Sequence, residues 1–485
     1  MKTIFRKTAL WAIVLGLLLI SVNAFCQEKF TSIAMSAAVN KTIVRNCGDT
    51  GFVSYLETAN EHLFILSDHN MNVVHSLAMP IEYTINDFEI YRDIVFFCGS
   101  NKLVVNNNLG LFGYFNLNDM CNSTSYVYTN CYYYTNMVLD QYARFFSELE
   151  IFDKTIPQPR TNDTVYVALV GKDNEEHPFI MEAIGPYGSN TNWRYAIGYN
   201  SNINTHETFD HVVVTDSFVV TGGTVYKDYN RGMSFRICNK AGSPDMFYNT
   251  NIHNTFYRYY SNATPPPVDN YTFYPLSKYA MTAMNDNRIA TMSLYKKNSS
   301  GYQPQTYYGV LVNVYDMSAT HLSSNVPCLY SMYENRNYLP PQSRIYELMY
   351  DPDSNVLLGL HTVNTTSFGT ENRCAVIPYW RTLPFNTKYY TALGIEFTSI
   401  TSTGSIYSCL MSGYLNGITA TVANHYRLPI GSNVQCSTSG SIKYSSPEVL
   451  TSKEEIEPLT IFRDVFSFGP MYLNCTSKTA DALCP

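Results

Sequence analysis

The sequence predicts an all-β fold in which small sheets repeat around a ring, a β-propeller, and three observations predict it. A three-part phrase of short apolar strands, clearest between Asp87 and Leu117, recurs at a spacing of roughly fifty to seventy residues. Helical periodicity is nearly absent: beyond the N-terminus only Asn136 to Phe146 and Thr451 to Ile456 read as more than a helical turn. Charged residues are 15% of the chain while Tyr alone numbers 41, a balance found in exported β-rich proteins rather than cytosolic helical enzymes.

Alternation of apolar residues and turn signals gives seven repeats, with six and eight as the neighbouring counts. The first, Phe52 to Leu56, Leu63 to Leu66 and Val73 to Leu77, is short. The second has Asp87 to Tyr91, a turn at Arg92-Asp93, a buried run Ile94 to Phe97, a loop, and Leu111 to Leu117. The third uses Glu148 to Phe152, Thr164 to Val170 and Phe179 to Ile184. In the fourth, Asp210 to Asp216 parallels Asp87 to Asp93, Phe218 to Thr221 follows, Gly222-Gly223 turns, and Met233 to Cys238 returns. On this alignment His211 takes the position of Phe88 and Leu149, that of a core residue. The fifth uses Ile289 to Leu294 and Val310 to Tyr315, the sixth Ile345 to Tyr350, Val356 to Leu360 and Ala375 to Tyr379, the seventh Ala392 to Ile400, Ile406 to Met411 and Ile418 to Val422. Two leftovers, Ser32 to Val44 and Leu459 to Asn474, are expected to complete one sheet together, because a closed ring leaves no open strand edge.

The N-terminus carries Lys2, Arg6 and Lys7 before the apolar run Ala9 to Val22, too short to span a bilayer comfortably, so residues 1–26 are expected to be a secretory signal peptide. Cleavage fits after Ala24 or after Cys26; Asn23, Ala24 and Phe25 lack the Leu and small residues that normally precede a lipidated Cys. Residues 27–485 are then one domain, exported to the periplasm, cell surface or medium, without a transmembrane segment. A net charge of −7 argues against nucleic acid and anionic membrane surfaces. The 12 Cys do not form a dense disulfide framework or a zinc ribbon. Spacing makes Cys121 with Cys131 and Cys475 with Cys484 the expected bridges.

Two Tyr-rich stretches, 119–142 with Tyr132 and Tyr133, and 253–279 with Tyr257 and Tyr260, read as loop insertions, and loops so long inside a compact array usually bind something or pack between repeats. A Tyr ring offers a flat apolar face with a polar tip, suited to glycans and proteins. Asp87, Glu148 and Asp210 recur at the entrance to the first strand of three repeats. If that strand is innermost, they approach a central channel and are candidates for a cation, a sugar hydroxyl or a basic residue; the plain alternative is a turn cap copied with the repeat.

His206-Glu207-Thr208-Phe209-Asp210-His211 fails as a zinc motif, because its His residues are five apart and cannot share a helical face. Asp351-Pro352-Asp353-Ser354-Asn355 imitates the start of a calcium loop, but Val356 replaces the required Gly and Thr362 the final Glu, so a polar turn is preferred. No cofactor or metal is expected, with calcium the one alternative raised. There is no G-x-S-x-G elbow, phosphate loop, dinucleotide fingerprint or C-x-x-C pair.

Between Phe52 and Val422 the strand phrases make the chain resemble exported bacterial β-propeller repeat proteins of no named function. The resemblance implies a toroid whose loop faces serve recognition. The expected function is non-enzymatic binding of a glycan or a cell-envelope protein; the alternatives are a propeller-type polysaccharide hydrolase and a structural or assembly protein of the cell surface.

Overall fold

The computed structural model describes the chain from Lys29 to Ala482 apart from connecting segments, the longest being 153–164, 241–251, 261–270, 334–343 and 455–465. It is all-β and antiparallel throughout, with six sheets. The nine-stranded sheet is two four-stranded groups joined edge to edge by Phe466–Thr476, so the chain makes seven groups in sequence order. Their first strands are Val39–Asn46, Tyr83–Tyr91, Gln141–Phe152, His211–Val214, Ala280–Met284, Ile345–Asp351 and Ile395–Ser402. Each first strand lies against the next, and Ile395–Ser402 lies against Val39–Asn46.

Within a group the strands are hairpin neighbours because the connections hold turn residues. Met284 pairs with Arg288, and in the three-residue turn between them Asp286 and Asn287 have positive φ, which Asn and Asp tolerate better than most residues. Arg92 and Asn355 take the same left-handed conformation in the Arg92-Asp93 and Pro352–Asn355 turns. The Asp351–Asn355 stretch is thus a hairpin, with Asp351 paired to Val356 and the Tyr350 hydroxyl donating to Asn355 Oδ1 at 2.8 Å.

The core lies between the groups. Along Ile94–Val104, Val95 and Phe97 pack with Phe64, Phe88 and Phe115 toward the first group. Phe96 and Cys98, on the other face, pack with Phe146, Leu149 and Phe179 of the third. The period of two thus buries both faces of one strand, which explains why the run Ile94 to Phe97 is continuously apolar. Similar clusters join the third to the fourth group, the fourth to the fifth, the fifth to the sixth, and the seventh to the first.

The chain ends depart from expectation in detail. Val39–Asn46 is the first strand of the first group, and Lys29–Ala34 sits in the last sheet between Val422–Pro429 and Ala480–Ala482. After Pro429 the chain runs back along outer edges. Ser437–Ser441 pairs with the sixth group, Lys443–Ser445 with the fifth, Thr451–Glu454 with the fourth, and Phe466–Thr476 with the second and first. Polar, Ser- and Thr-rich strands thereby cover edges that would otherwise offer unpaired N–H and C=O groups.

Both helical expectations fail. Gln141–Phe152 and Thr451–Glu454 are strands, because pairing partners on the sheets override weak local propensity. The α-helix present, Leu117–Asn122, buries Leu117 and Met120. Among the described residues no helix is long and apolar enough to cross a membrane.

Candidate functional site

The first strands share a local irregularity that sets up the site. Pairing with the second strand slips between Ile85 and Asp87, Phe146 and Glu148, Ile345 and Glu347, and Phe397 and Ser399. Such a β-bulge leaves one residue unpaired and turns the next toward the neighbouring group. The bulge also presses a backbone carbonyl onto the second strand. A Cβ at Gly99 would fall on the Thr84 carbonyl oxygen, and one at Gly171 on that of Phe145.

The residue after each bulge holds the first strand of the next group. Leu149 N–H donates to Asp87 Oδ2 at 3.2 Å, Val212 N–H to Glu148 Oε2 at 2.7 Å, Ile400 N–H to Glu347 Oε2 at 2.8 Å, and Val44 N–H to Ser399 Oγ at 3.0 Å. Acidic acceptors strengthen these bonds.

Two residues after Ile43, Arg45 projects among the carboxylates. Its Nη2 meets Asp87 Oδ1 at 2.8 Å, its Nε Glu89 Oε1 at 2.9 Å, and its Nη1 Glu347 Oε1 at 2.9 Å. One guanidinium thus ties the first group to the second and sixth, using its fixed fork of donors, and it lies 5.8 Å from the Phe88 ring centre. The charge of Glu148 also acts on it. The Glu89, Glu347 and Glu148 side chains stay 30%, 25% and 26% exposed and Asp87 only 7%, so Asp87 is the buried member of a partly exposed acidic cluster.

Charge crowding shows in the titrations. Burial, with Glu148 and Glu89 nearby, pushes Asp87 up to about 7 although Arg45 pulls the other way. Burial likewise raises Glu89 against the pull of Arg45. Glu150 is raised well above the ordinary range by burial and by the charges of Glu89, Glu148 and Asp87. For Arg45 burial disfavours the charge, and Glu347, Asp87 and Glu89 outweigh it. Asp87 therefore exchanges its proton near neutrality, which is the electrostatic character of many functional sites and also of structural ion networks.

His211 corrects the alignment read from the sequence. It pairs across from Gly222 as Asp87 does from Cys98 and Glu148 from Val170, so it occupies the acidic position and Val212 that of Phe88 and Leu149. Its Nδ1 lies 3.2 Å from Glu148 Oε2, its ring meets Tyr279 edge-on at 4.9 Å, and its Nε2 is buried without a hydrogen bond. Burial lowers its proton affinity but Glu148 and Asp210 raise it more, so the protonated Nδ1 donates to Glu148.

Of the three acids predicted at strand entrances, Asp87 and Glu148 both act on Arg45. Asp210 does not join Arg45; it accepts the Thr208 hydroxyl at 2.6 Å just before its strand. Gly222 and Gly223 lie inside Phe218–Lys227 rather than at a turn, opposite the approach of the first strand. Arg45, Glu89, Glu150 and Glu347 were not anticipated.

The four Tyr residues singled out in the Tyr-rich stretches lie on strands and not in loops. Tyr132 and Tyr133 lie on Tyr126–Tyr133, paired with Asn107–Asn116 and Phe466–Thr476. Tyr257 and Tyr260 lie on Ile252–Tyr260, paired with Asn230–Asn239 and, over Thr255 to Arg258, with Thr451–Glu454. Each stretch supplies the fourth strand of its group. Cys121 and Cys131 are both free thiols: Cys131 is 3% exposed in its strand, whereas Cys121 sits at the surface of the short helix. Cys475 lies on Phe466–Thr476, and Cys484 is outside the described residues.

No family model and no curated protein matches the chain. Among solved structures it is similar to the polysaccharide lyase Uly1, at 7% identity and a TM-score of 0.34 over 71% of this chain and 90% of that one. A likeness so loose carries no argument about fold or activity.

Proposed function

We propose that the seven groups are the blades of a seven-bladed propeller, exported after loss of residues 1–26, that binds a glycan or a cell-envelope protein without chemical turnover. The succession of first strands, each against the next and the last against the first, supports the propeller, as does Lys29–Ala34 seated in the last sheet. Terminal strand exchange of this kind holds a ring shut.

The observation that carries the non-enzymatic reading is the use made of the acids. A glycosidase needs one carboxyl free to hold a proton over the leaving oxygen and a second free to attack or to activate water. Asp87 and Glu347 are each held both by Arg45 and by a neighbouring N–H, and Glu148 by Val212 N–H and His211. Their geometry serves cohesion between blades. The faces built from connecting segments are then left for recognition, together with the Tyr-rich outer strands. Because Tyr126–Tyr133 and Ile252–Tyr260 are paired on both edges over Asn130 to Tyr133 and Thr255 to Arg258, partners are read there by side chains and not by strand addition.

A second reading, a polysaccharide hydrolase, draws support from Glu150, whose raised proton affinity suits a general acid. A glycan-array screen followed by chromatography of any hit incubated with the protein separates the two. Bound, uncleaved glycan supports the binding protein; released fragments that disappear in Glu150→Gln establish the hydrolase. Capture of envelope proteins, with no glycan retained, selects the protein partner.

A further inference from the structure

The C-terminal part of the chain lays strands along the outer edges of the groups and, among the described residues, misses one. Ser437–Ser441 covers the sixth group, Lys443–Ser445 the fifth, Thr451–Glu454 the fourth, and Phe466–Thr476 the second and first. The seventh carries Lys29–Ala34. In the third, the outer strand Arg194–Ile197 pairs with Pro178–Gly185, and among the described residues no strand lies on its other edge. An edge of that kind presents N–H and C=O groups that recruit another strand.

We propose that the outer edge of Arg194–Ile197 is the docking site of the chain's own Leu459-Thr460-Ile461-Phe462, added antiparallel as a further strand. The course of the chain on either side carries this. Covered edges follow in the order sixth, fifth, fourth, second and first, and the first strand of the third group lies between those of the second and fourth, so the segment 455–465 passes the third group on its way from one neighbour to the other. Its length fits the spacing of the strands before it. The crossing from the sixth group to the fifth takes the single residue 442, and that from the fifth to the fourth takes residues 446–450. Pairing over 459–462 leaves 455–458 and 463–465 for the two crossings, each within that range. The composition fits as well: Leu459 to Phe462 is the apolar, β-branched and aromatic run of the segment, suited to a pleated strand, and Pro458 stands just outside it, where a missing N–H breaks no ladder. The occupant follows from the fold alone and does not depend on what the protein binds.

Hydrogen exchange of the purified full chain, read by mass spectrometry at low and high protein concentration, tests the pairing. Amides of 459–462 and of Arg194–Ile197 should both exchange well below free-peptide rates, equally at the two concentrations. Ile461→Pro interrupts the added strand and should speed exchange at both segments while Thr451–Glu454 and Ile252–Tyr260 stay protected. In a second variant, Phe462→p-benzoylphenylalanine, irradiation should link residue 462 to a peptide of the third group; should Ile461→Pro unfold the whole chain, this cross-link decides. Free-peptide exchange at either segment, protection of Arg194–Ile197 that grows with protein concentration and so marks a second copy on the edge, protection that Ile461→Pro leaves unchanged in a folded chain, or a cross-link to another group would each overturn the proposal.

Discussion

Replacing Arg45 with Met removes one cation from three carboxylates while keeping most of the side-chain volume. Asp87, at 7% exposure, loses its ion pair in a buried setting, and breaking such a pair from one side costs about 3–5 kcal/mol. Glu89 and Glu347, at 30% and 25% exposure, add less because water screens them. The loss should depend on pH in a definite direction. Asp87 holds its proton to about pH 7 when folded and to about pH 4 when unfolded. Its contribution is therefore fully present below about pH 4 and lost as pH rises through 7, up to about 4 kcal/mol by pH 8 in the native chain. Raised Glu89, Glu150 and His211 act with the same sign. Without Arg45 the carboxylates repel more strongly, so R45M should lose about 3–5 kcal/mol at pH 8 and clearly less at pH 5, where the acids take up protons. Urea unfolding followed by Tyr fluorescence at both pH values measures this. A loss below about 1 kcal/mol at pH 8, or an equal loss at both pH values, would refute the ion-network account.

Gly99→Val should destabilise by more than about 2 kcal/mol, since its Cβ would strike the Thr84 carbonyl and neither backbone can move without breaking the bulge; the urea midpoint reads this. Phe97→Ala, in the cluster with Phe64 and Phe115, should cost about 3–5 kcal/mol by the same measurement. Truncation after Pro429 removes the outer strands from five of the groups and the Ala480–Ala482 partner of Lys29–Ala34; the expected outcome is concentration-dependent association on size exclusion, and a stable monomer of native melting behaviour would show that these strands protect nothing.

The sequence carried the scaffold better than the site. Ile94 to Phe97 and Phe218 to Thr221 were legible because a strand buried on both faces must be apolar at every position, and the turns between strands require Asn, Asp or Gly. The Tyr-rich fourth strands were misread as loops: Tyr, Thr and Asn serve a pleated, half-exposed strand as well as a binding loop, and only the pairing with a distant C-terminal segment decides between them. Arg45 was hidden because the leftover segment Ser32 to Val44 stopped one residue short of it, although a single charge after Ile43-Val44 in an alternating strand was the available signal. His211 was displaced by one place because Asp210 and Asp216 were matched to Asp87 and Asp93 by residue type, whereas the turn falls at Asp216-Ser217 and pairing matches His211 to Asp87.

That one-residue displacement also changes which position recurs. Counted from Asp210, the repetition is an acid at a turn, which a cap would explain. Counted by pairing, the recurring position is Asp87, Glu148, His211, Glu347 and Ser399, a set that shares no charge. Four of the five accept the N–H of the adjoining first strand, and His211 instead packs on Tyr279 of the next group. What recurs is reach toward the neighbouring group, met by a carboxylate, a hydroxyl or an imidazole. Selection for a cation ligand would hold the charge and let the hydrogen bond go; here the bond is held and the charge varies, and Arg45 answers the excess negative charge that the three acids leave.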